Sequence, residues 1–435
     1  MRSRQPVDSI QSPSLILLAA PDVRRRTAVH VRNQGDRMTD RLPLSSAQLA
    51  FGLDAQRSGR RGTVTMMFRT PSARLVTEDV RQVLESVLLS NPALSHRIQF
   101  SRGTAYQEWN PSECHVTELR AVDEEAVAES VERVVEEFES SLDGASMTAC
   151  LIRSPTSDHL LLVLDHALVD EHSVRLIKRQ LAAPSAPDEH RMERYRNAVF
   201  DRAKSEKEAA DGPGTKFWTE RLESAGEFQR PSARTTRAIP VETLPSVAVP
   251  HGFRGSLFPY VLHSIHHALR DVGEPAPTTV GYPWGGRNAA YTDVVGCFMN
   301  TVVSLDTPGC PRSPDPAGDF LRSWYRELDH ADVPFTAVTA LGSTFSGAVS
   351  AMLSYTHAGP PTVDVAGVPA VEVTPSRSEP PSMCGLLAGV TLHDGELRLR
   401  LLLDEENTTY GVRAFGTRWR DRLTSAFSHV PEPKP

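Results

Sequence analysis

The residues whose types and spacing best suit chemistry lie in LLLVLDHALVDEHS, Leu160–Ser173. A continuous apolar run ends at Leu164, and His166 and Asp170 follow at H-x3-D spacing. The run Leu160–Leu164 is too short for a helix and reads as a strand buried on both faces. A histidine at the end of such a strand is held by a rigid scaffold at a cleft, and neutral imidazole is the natural base near neutral pH. Taken alone, a histidine after an apolar strand is more often structural than catalytic, so the surrounding chain has to decide.

Patterned sequence begins near Leu42. Val64–Arg69 and Cys150–Arg153 read as strands, as do Thr279–Tyr282, Val349–Tyr355 and Leu397–Leu403. Thr77–Ser90 reads as a helix with Val80, Val83, Leu84, Val87 and Leu88 on one face. Glu124–Glu139, Lys216–Leu222, Leu257–Val272, Phe320–His330 and Val412–Ser425 are further helices. Residues 183–188 read as a loop, 201–215 as a charged break between two lobes, and 226–250 as a poorly patterned connection. Gly285 and Gly286 make a turn after the Thr279–Tyr282 strand. Strands and helices mix without strict alternation, which predicts an α/β (α+β) chain of two lobes, 41–212 and 213–430, after a disordered extension over 1–40. Met38 opens directly into patterned sequence and is an alternative start.

The 435 residues carry a formal net charge of −7, with 40% hydrophobic and 23% charged residues. That is an ordinary globular balance, and it argues against nucleic acid as a partner, which needs a clustered basic surface. The cysteines Cys114, Cys150, Cys297, Cys310 and Cys384 form no CxxC pair and suit reduced thiols in a cytosol. No apolar stretch approaches the roughly 20 residues of a membrane helix. There is no GxSxG elbow, no GxxxxGK or GxGxxG phosphate loop and no HExxH. His263, His266 and His267 fall on one predicted helix, where they read as ordinary surface imidazoles because no acid or cysteine completes a ligand set.

The segment around His166 resembles the HHxxxDG motif of the condensation domains of nonribosomal peptide synthetases, in the chloramphenicol-acetyltransferase-like superfamily. Other segments resemble that family's motifs in the same order. They are LPLSSAQLAFGL (Leu42–Leu53), NPALSHRI (Asn91–Ile98) and YRNAVF (Tyr195–Phe200) with Phe217 and Trp218. VGYPWGGRN (Val280–Asn288), VGCFMNTVVSL (Val295–Leu305) and HADVPF (His330–Phe335) follow. Each motif is degenerate; their ordered succession over about residues 41–428 is specific.

The resemblance implies two chloramphenicol-acetyltransferase-like lobes in a V-shaped pseudo-dimer, with His166 midway along a central tunnel. It implies an acyltransferase that joins a carrier-bound acyl thioester to an amine or hydroxyl. His166 takes the place of the family's essential second histidine, and Asp170 that of its structural aspartate, with Arg287 as the expected bidentate partner. Asp165, Glu171, Ser173, Trp284, Gly286, Asn300 and Thr301 are the expected substrate-side residues. No metal or redox cofactor is implied; phosphopantetheine arrives on a peptidyl or acyl carrier protein. The expected protein is a cytoplasmic monomer that also meets a small-molecule or carrier-bound acceptor.

Two motif positions depart from the family, Asp165 in place of the first histidine and Glu171 in place of the closing glycine. A side chain at 171 restricts the close backbone approach a glycine permits. It turns to solvent or meets a cationic acceptor. Asp165, Asp170 and Ser173 also match the D-x4-D-x2-S pattern of heterocyclisation domains, although those relatives usually lack the histidine retained here. A catalytically degenerate module that recruits a carrier or tailoring enzyme is a further alternative.

Overall fold

The computed structural model describes residues 41–70, 75–111, 113–183, 188–223, 239, 241–253, 256–274, 277–306, 316–341, 349–359, 362–374, 385–405 and 408–428. The expected extension over 1–40, Cys310 and Cys384 lie outside them, as does most of the loop expected at 183–188. The chain opens with β1 (Arg41–Leu42), α1 (Ser46–Ser58), β2 (Thr63–Thr70) and α2 (Thr77–Ser90). Next come β3 (His96–Ser101), β4 (Thr104–Trp109), β5 (Val116–Arg120), α3 (Glu124–Ser140), β6 (Met147–Arg153) and β7 (Asp158–Asp165). Three helices follow, α4 (Glu171–Ala182), α5 (Arg191–Ala210) and α6 (Pro213–Glu223), then β8 (Glu242–Ala248), α7 (Phe258–Asp271), β9 (Thr278–Gly285) and β10 (Met299–Asp306). The last third holds α8 (Pro316–Leu328), α9 (Phe335–Thr339), β11 (Ala351–His357), β12 (Thr362–Val365), β13 (Val368–Val373), β14 (Leu386–His393), β15 (Glu396–Leu403) and α10 (Val412–Ser428).

Two six-stranded sheets and one three-stranded sheet organise these elements. The first large sheet runs β12-β13-β2-β7-β6-β5, the second β10-β9-β11-β14-β15-β8, and the small one β1-β4-β3. Pairing is antiparallel except for β5 with β6 and β11 with β9 and β14. In β7, every residue from Asp158 to Leu164 is buried. Leu160, Leu162 and Leu164 enter one core with α2, α4 and α5, whereas Leu161 and Val163 enter another under α3. Both faces are covered, which is why the run lacks polar alternation. The second sheet packs against α7, α8 and α10, with Trp419 and Phe415 fully buried.

Three expectations change. The charged segment 201–215 is not a break: α5 continues to Ala210, and only Asp211 and Gly212 separate it from α6. Tyr195, Ala198, Val199, Arg202 and Glu206 form its buried stripe, and Arg202 Nε donates to Glu206 Oε1 at 2.8 Å one turn on. Part of the 226–250 connection is strand β8, which pairs with β15 at the sheet edge; Pro245 is tolerated there because an edge strand leaves amides unpaired. The strands β12 and β13, from late in the chain, join the first sheet through β2 rather than the second.

The histidine trio on α7 is also not a surface feature. His266 is fully buried, with Nδ1 2.8 Å from Thr278 Oγ1 and Nε2 3.2 Å from Ser304 Oγ. His263 and His267 place their Nε2 atoms 3.1 Å apart, and burial lowers both to about 4, so the contact joins two neutral rings. No group of three or more potential metal ligands occurs among the described residues.

Close by, Glu327 Oε1 accepts from Arg221 Nη2 at 2.8 Å and from Leu305 N at 3.2 Å. Burial nonetheless raises this carboxyl from its ordinary 4.5 to about 7, against the pull of Arg221. The folded state therefore keeps a proton that the unfolded chain has released, and stability falls as pH rises between those values. Denaturant midpoints at about pH 5 and about pH 7 should differ in that direction, and Glu327→Gln should shrink the gap.

Candidate functional site

β7 ends at Asp165, and the chain turns through His166–Val169 into α4. Asp170 is the N-cap of that helix, its side chain accepting from Ser173 N at 2.9 Å. A short acid here answers an orphan amide and sits at the positive end of the helix dipole. The amides of Glu171 and His172 have no acceptor inside the helix. The backbone N of His166 donates to Gly62 O at 3.0 Å, tying the turn to the start of β2.

His166 is half-buried. Its Nδ1 lies 3.1 Å from Val169 O. A carbonyl only accepts, so Nδ1 carries the proton and Nε2 keeps the lone pair. No hydrogen bond engages Nε2 among the described residues. Phe51 of α1 stacks on the ring, with centroids 4.4 Å apart and planes 26° from parallel. The histidine is thus fixed in tautomer and tilt, with its basic nitrogen unspent.

The turn is fastened to the second half of the chain. Arg287, just past β9, donates through Nη2 to Asp170 Oδ1 at 2.7 Å, Ser173 Oγ at 2.8 Å and Gly296 O at 3.0 Å. Its Nη1 donates to Val294 O, and Phe298 N donates to Asp170 Oδ2 at 3.1 Å. Both charged side chains are 7% exposed. The expected partnership is present, but not in bidentate form: only one carboxylate oxygen meets the guanidinium, because Phe298 N occupies the other and Val294 O takes the second nitrogen.

The remaining expected site residues divide. Ser173 is fully buried, and its hydroxyl serves Asp170, Gly296 and Arg287, so it is part of the clasp rather than a substrate contact. Asn300, also buried, donates to Ala331 O at 2.8 Å and Val333 O at 2.7 Å and accepts from Phe335 N at 3.0 Å; it pins the HADVPF segment instead of facing a ligand. Asp165 accepts from Ala167 N at 2.9 Å and lies 3.5 Å from Arg61 Nη1, and burial raises its carboxyl against Arg61's charge. Glu171 is exposed, and Thr301 is half-buried opposite Pro283 in the β9–β10 pairing.

Trp284 and Gly286 line a groove of about 310 Å³ together with Arg202, Arg287, Tyr291 and Phe298; His166 is not among its lining residues. A Cβ at Gly286 would sit 2.1 Å from Arg202 Nη1, so a larger residue there would displace the Arg202 guanidinium.

Sequence reasoning missed Phe51 and Arg61. Phe51 lies inside the motif-like segment Leu42–Leu53, yet nothing in a linear pattern shows which ring it covers. Arg61 donates from Nε to Phe138 O at 2.9 Å and from Nη1 to Ala145 O at 2.9 Å, contacts across more than seventy residues that no local signal encodes.

No protein-family model matches the sequence, and no curated protein matches it either. Solved structures do. The starter condensation domain of rhizomide synthetase RzmA, as a mutant in complex with C8-CoA and Leu-SNAC, is similar with a TM-score of 0.70 at 15% identity, covering 91% of this chain and 96% of that one. The X-domain of teicoplanin biosynthesis, solved in complex with OxyB, gives 0.68 at 15% identity, covering 91% and 95%. The first condensation domain of the calcium-dependent antibiotic synthetase, bound to a substrate analogue, gives 0.69 at 14% identity over 89% and 96%. The chain therefore has the condensation-domain fold.

Proposed function

We propose that the protein is a condensation enzyme that transfers an acyl or aminoacyl group from a carrier-bound thioester to an amine or hydroxyl, with His166 at the reacting centre. One observation carries this reading. His166 Nδ1 is engaged by Val169 O at 3.1 Å, which leaves Nε2 as a base on a turn held by the Asp170–Arg287 clasp. In the proposed step Nε2 takes the proton of the attacking nucleophile as the new C–N or C–O bond forms at the thioester carbonyl; the C–S bond then breaks, and the phosphopantetheine sulfur leaves as a thiol after taking that proton back from Nε2. The first-turn amides at Glu171 and His172, which have no acceptor inside the helix, are the proposed donors for the developing oxyanion. Holding two substrates together supplies much of the remaining rate. On this reading the lobe 41–212, completed by the β12–β13 hairpin, and the rest of 213–430 form the two walls of the reaction channel, and the carrier docks at its mouth. The protein works as a cytosolic monomer. No helix among the described residues is long and apolar enough to cross a membrane.

A second reading, a module that recruits a partner without turnover, is favoured by the likeness to the X-domain solved with OxyB and by the acid at Glu171. Incubation with acyl-loaded carrier protein and a panel of amines and alcohols, followed by intact-mass analysis, separates the two. Acyl transfer to the acceptor supports the enzyme. Stable capture of a carrier or tailoring enzyme with no product supports recruitment, and a product lighter by a second water indicates heterocyclisation.

A further inference from the structure

The second sheet turns one face to α7, α8 and α10, where Leu353, Ala388, Val390, Leu399 and Leu401 enter the core. The alternate residues of β11, β14 and β15 point the other way. On that opposite face the pairing register sets Ser354 beside Gly389 and Gly389 beside Arg400. A Cβ at Gly389 would sit 2.5 Å from both Cγ and Nε of Arg400, so the glycine lets the arginine stem lie flat across β14. Arg400 is half-buried, yet no hydrogen bond or ion pair engages its guanidinium among the described residues, and none of its nitrogens is sealed from solvent. The hydroxyl of Ser354, also half-buried, is unengaged and open in the same way.

A charge partly withdrawn from water and left without a partner costs free energy. The strands around it offer no acid to answer it. β11 and β14 contain no Asp or Glu, and the single acid of β15, Glu396, lies a full four residues along the strand and accepts from Ser246 Oγ at 2.9 Å. Glu242 of β8 pairs with Leu401 and therefore belongs to the other face. Arg398, exposed on the same face as Arg400, adds positive potential. The next row of the sheet is apolar, with half-buried Met352 beside half-buried Leu387. An occupant thus meets a planar donor fork and a hydroxyl at one end, and apolar surface at the other. The fork matches a carboxylate, and the apolar row matches an uncharged body.

We propose that this face of the second sheet binds a small organic acid, with Arg400 and Ser354 holding its carboxylate and Met352 and Leu387 its apolar body. The assignment makes no use of His166 and goes beyond the acyl-transfer reading.

Calorimetric titration of the full chain with phenylacetate tests it. Saturable binding is expected, with phenylacetamide at least about tenfold weaker because it lacks the charge. Arg400→Gln should bring phenylacetate down to the level of the amide. That variant should keep the parent's urea midpoint, since the guanidinium it removes has no partner to lose. Ser354→Leu should also abolish binding, because the added carbons occupy the place of the carboxylate. The proposal is overturned by an absence of saturable binding up to roughly 10 mM. It is equally overturned by equal affinity for acid and amide, by full affinity in Arg400→Gln or Ser354→Leu, or by phenyl phosphate binding more tightly than phenylacetate.

Discussion

Replacing His166 with alanine should lower product formation by about 10²–10⁴-fold, the contribution typical of a positioned general base. The fold should survive, because the ring is half-buried and its contacts are local: one hydrogen bond to Val169 O and a stack on Phe51. Circular dichroism and a denaturation midpoint near that of the parent protein would show that the loss is chemical. His166→Gln sharpens the comparison, since its amide can reach Val169 O but offers no basic nitrogen. A variant with full turnover in the carrier-protein assay would remove His166 from the mechanism and leave recruitment as the better reading.

Asp170→Ala should have the largest effect on stability, about 3–5 kcal/mol, the usual cost of removing one partner from a buried ion pair. The carboxylate accepts from Arg287 Nη2, Ser173 N, Ser173 Oγ and Phe298 N, so its loss leaves a buried guanidinium uncompensated and uncaps α4. Turnover should fall with it, because Val169, which fixes the imidazole tautomer, immediately precedes Asp170. Adding Arg287→Met to Asp170→Ala should restore part of the lost stability, since the stranded charge goes too. Urea midpoints of the single and double variants would check this; strictly additive losses would show that the two side chains are not energetically coupled.

Much of this was legible in the residues themselves. The buried strand before His166 announced itself by an apolar run without alternation, although it starts two residues earlier than that run, at Asp158; α2 and α3 announced themselves by stripes at helical spacing, and their limits agree with the structure to within a residue. The partnership of Asp170 with Arg287 came from family resemblance rather than from spacing, since 117 residues separate them. What failed did so for identifiable reasons. The α5 helix was obscured because its buried stripe includes Arg202 and Glu206, which look like surface residues until they are seen paired. Ser173 and Asn300 carry hydroxyl and amide groups that suit ligand contacts and backbone clamping equally well, and only their burial and their partners distinguish the two uses. Strand β8 hid because its proline is acceptable only at a sheet edge, which is a tertiary fact.

The hairpin of β12 and β13 has a consequence for biogenesis. Until a ribosome has made residue 373, β2 lacks its outer neighbour, and Met67–Arg69 sit on an open border able to recruit another chain. The first half of the polypeptide consequently waits for the second, although vectorial synthesis would ordinarily let an N-terminal unit finish first. A fragment ending near residue 212 should express as an aggregating species, and supplying the later half in trans should rescue it.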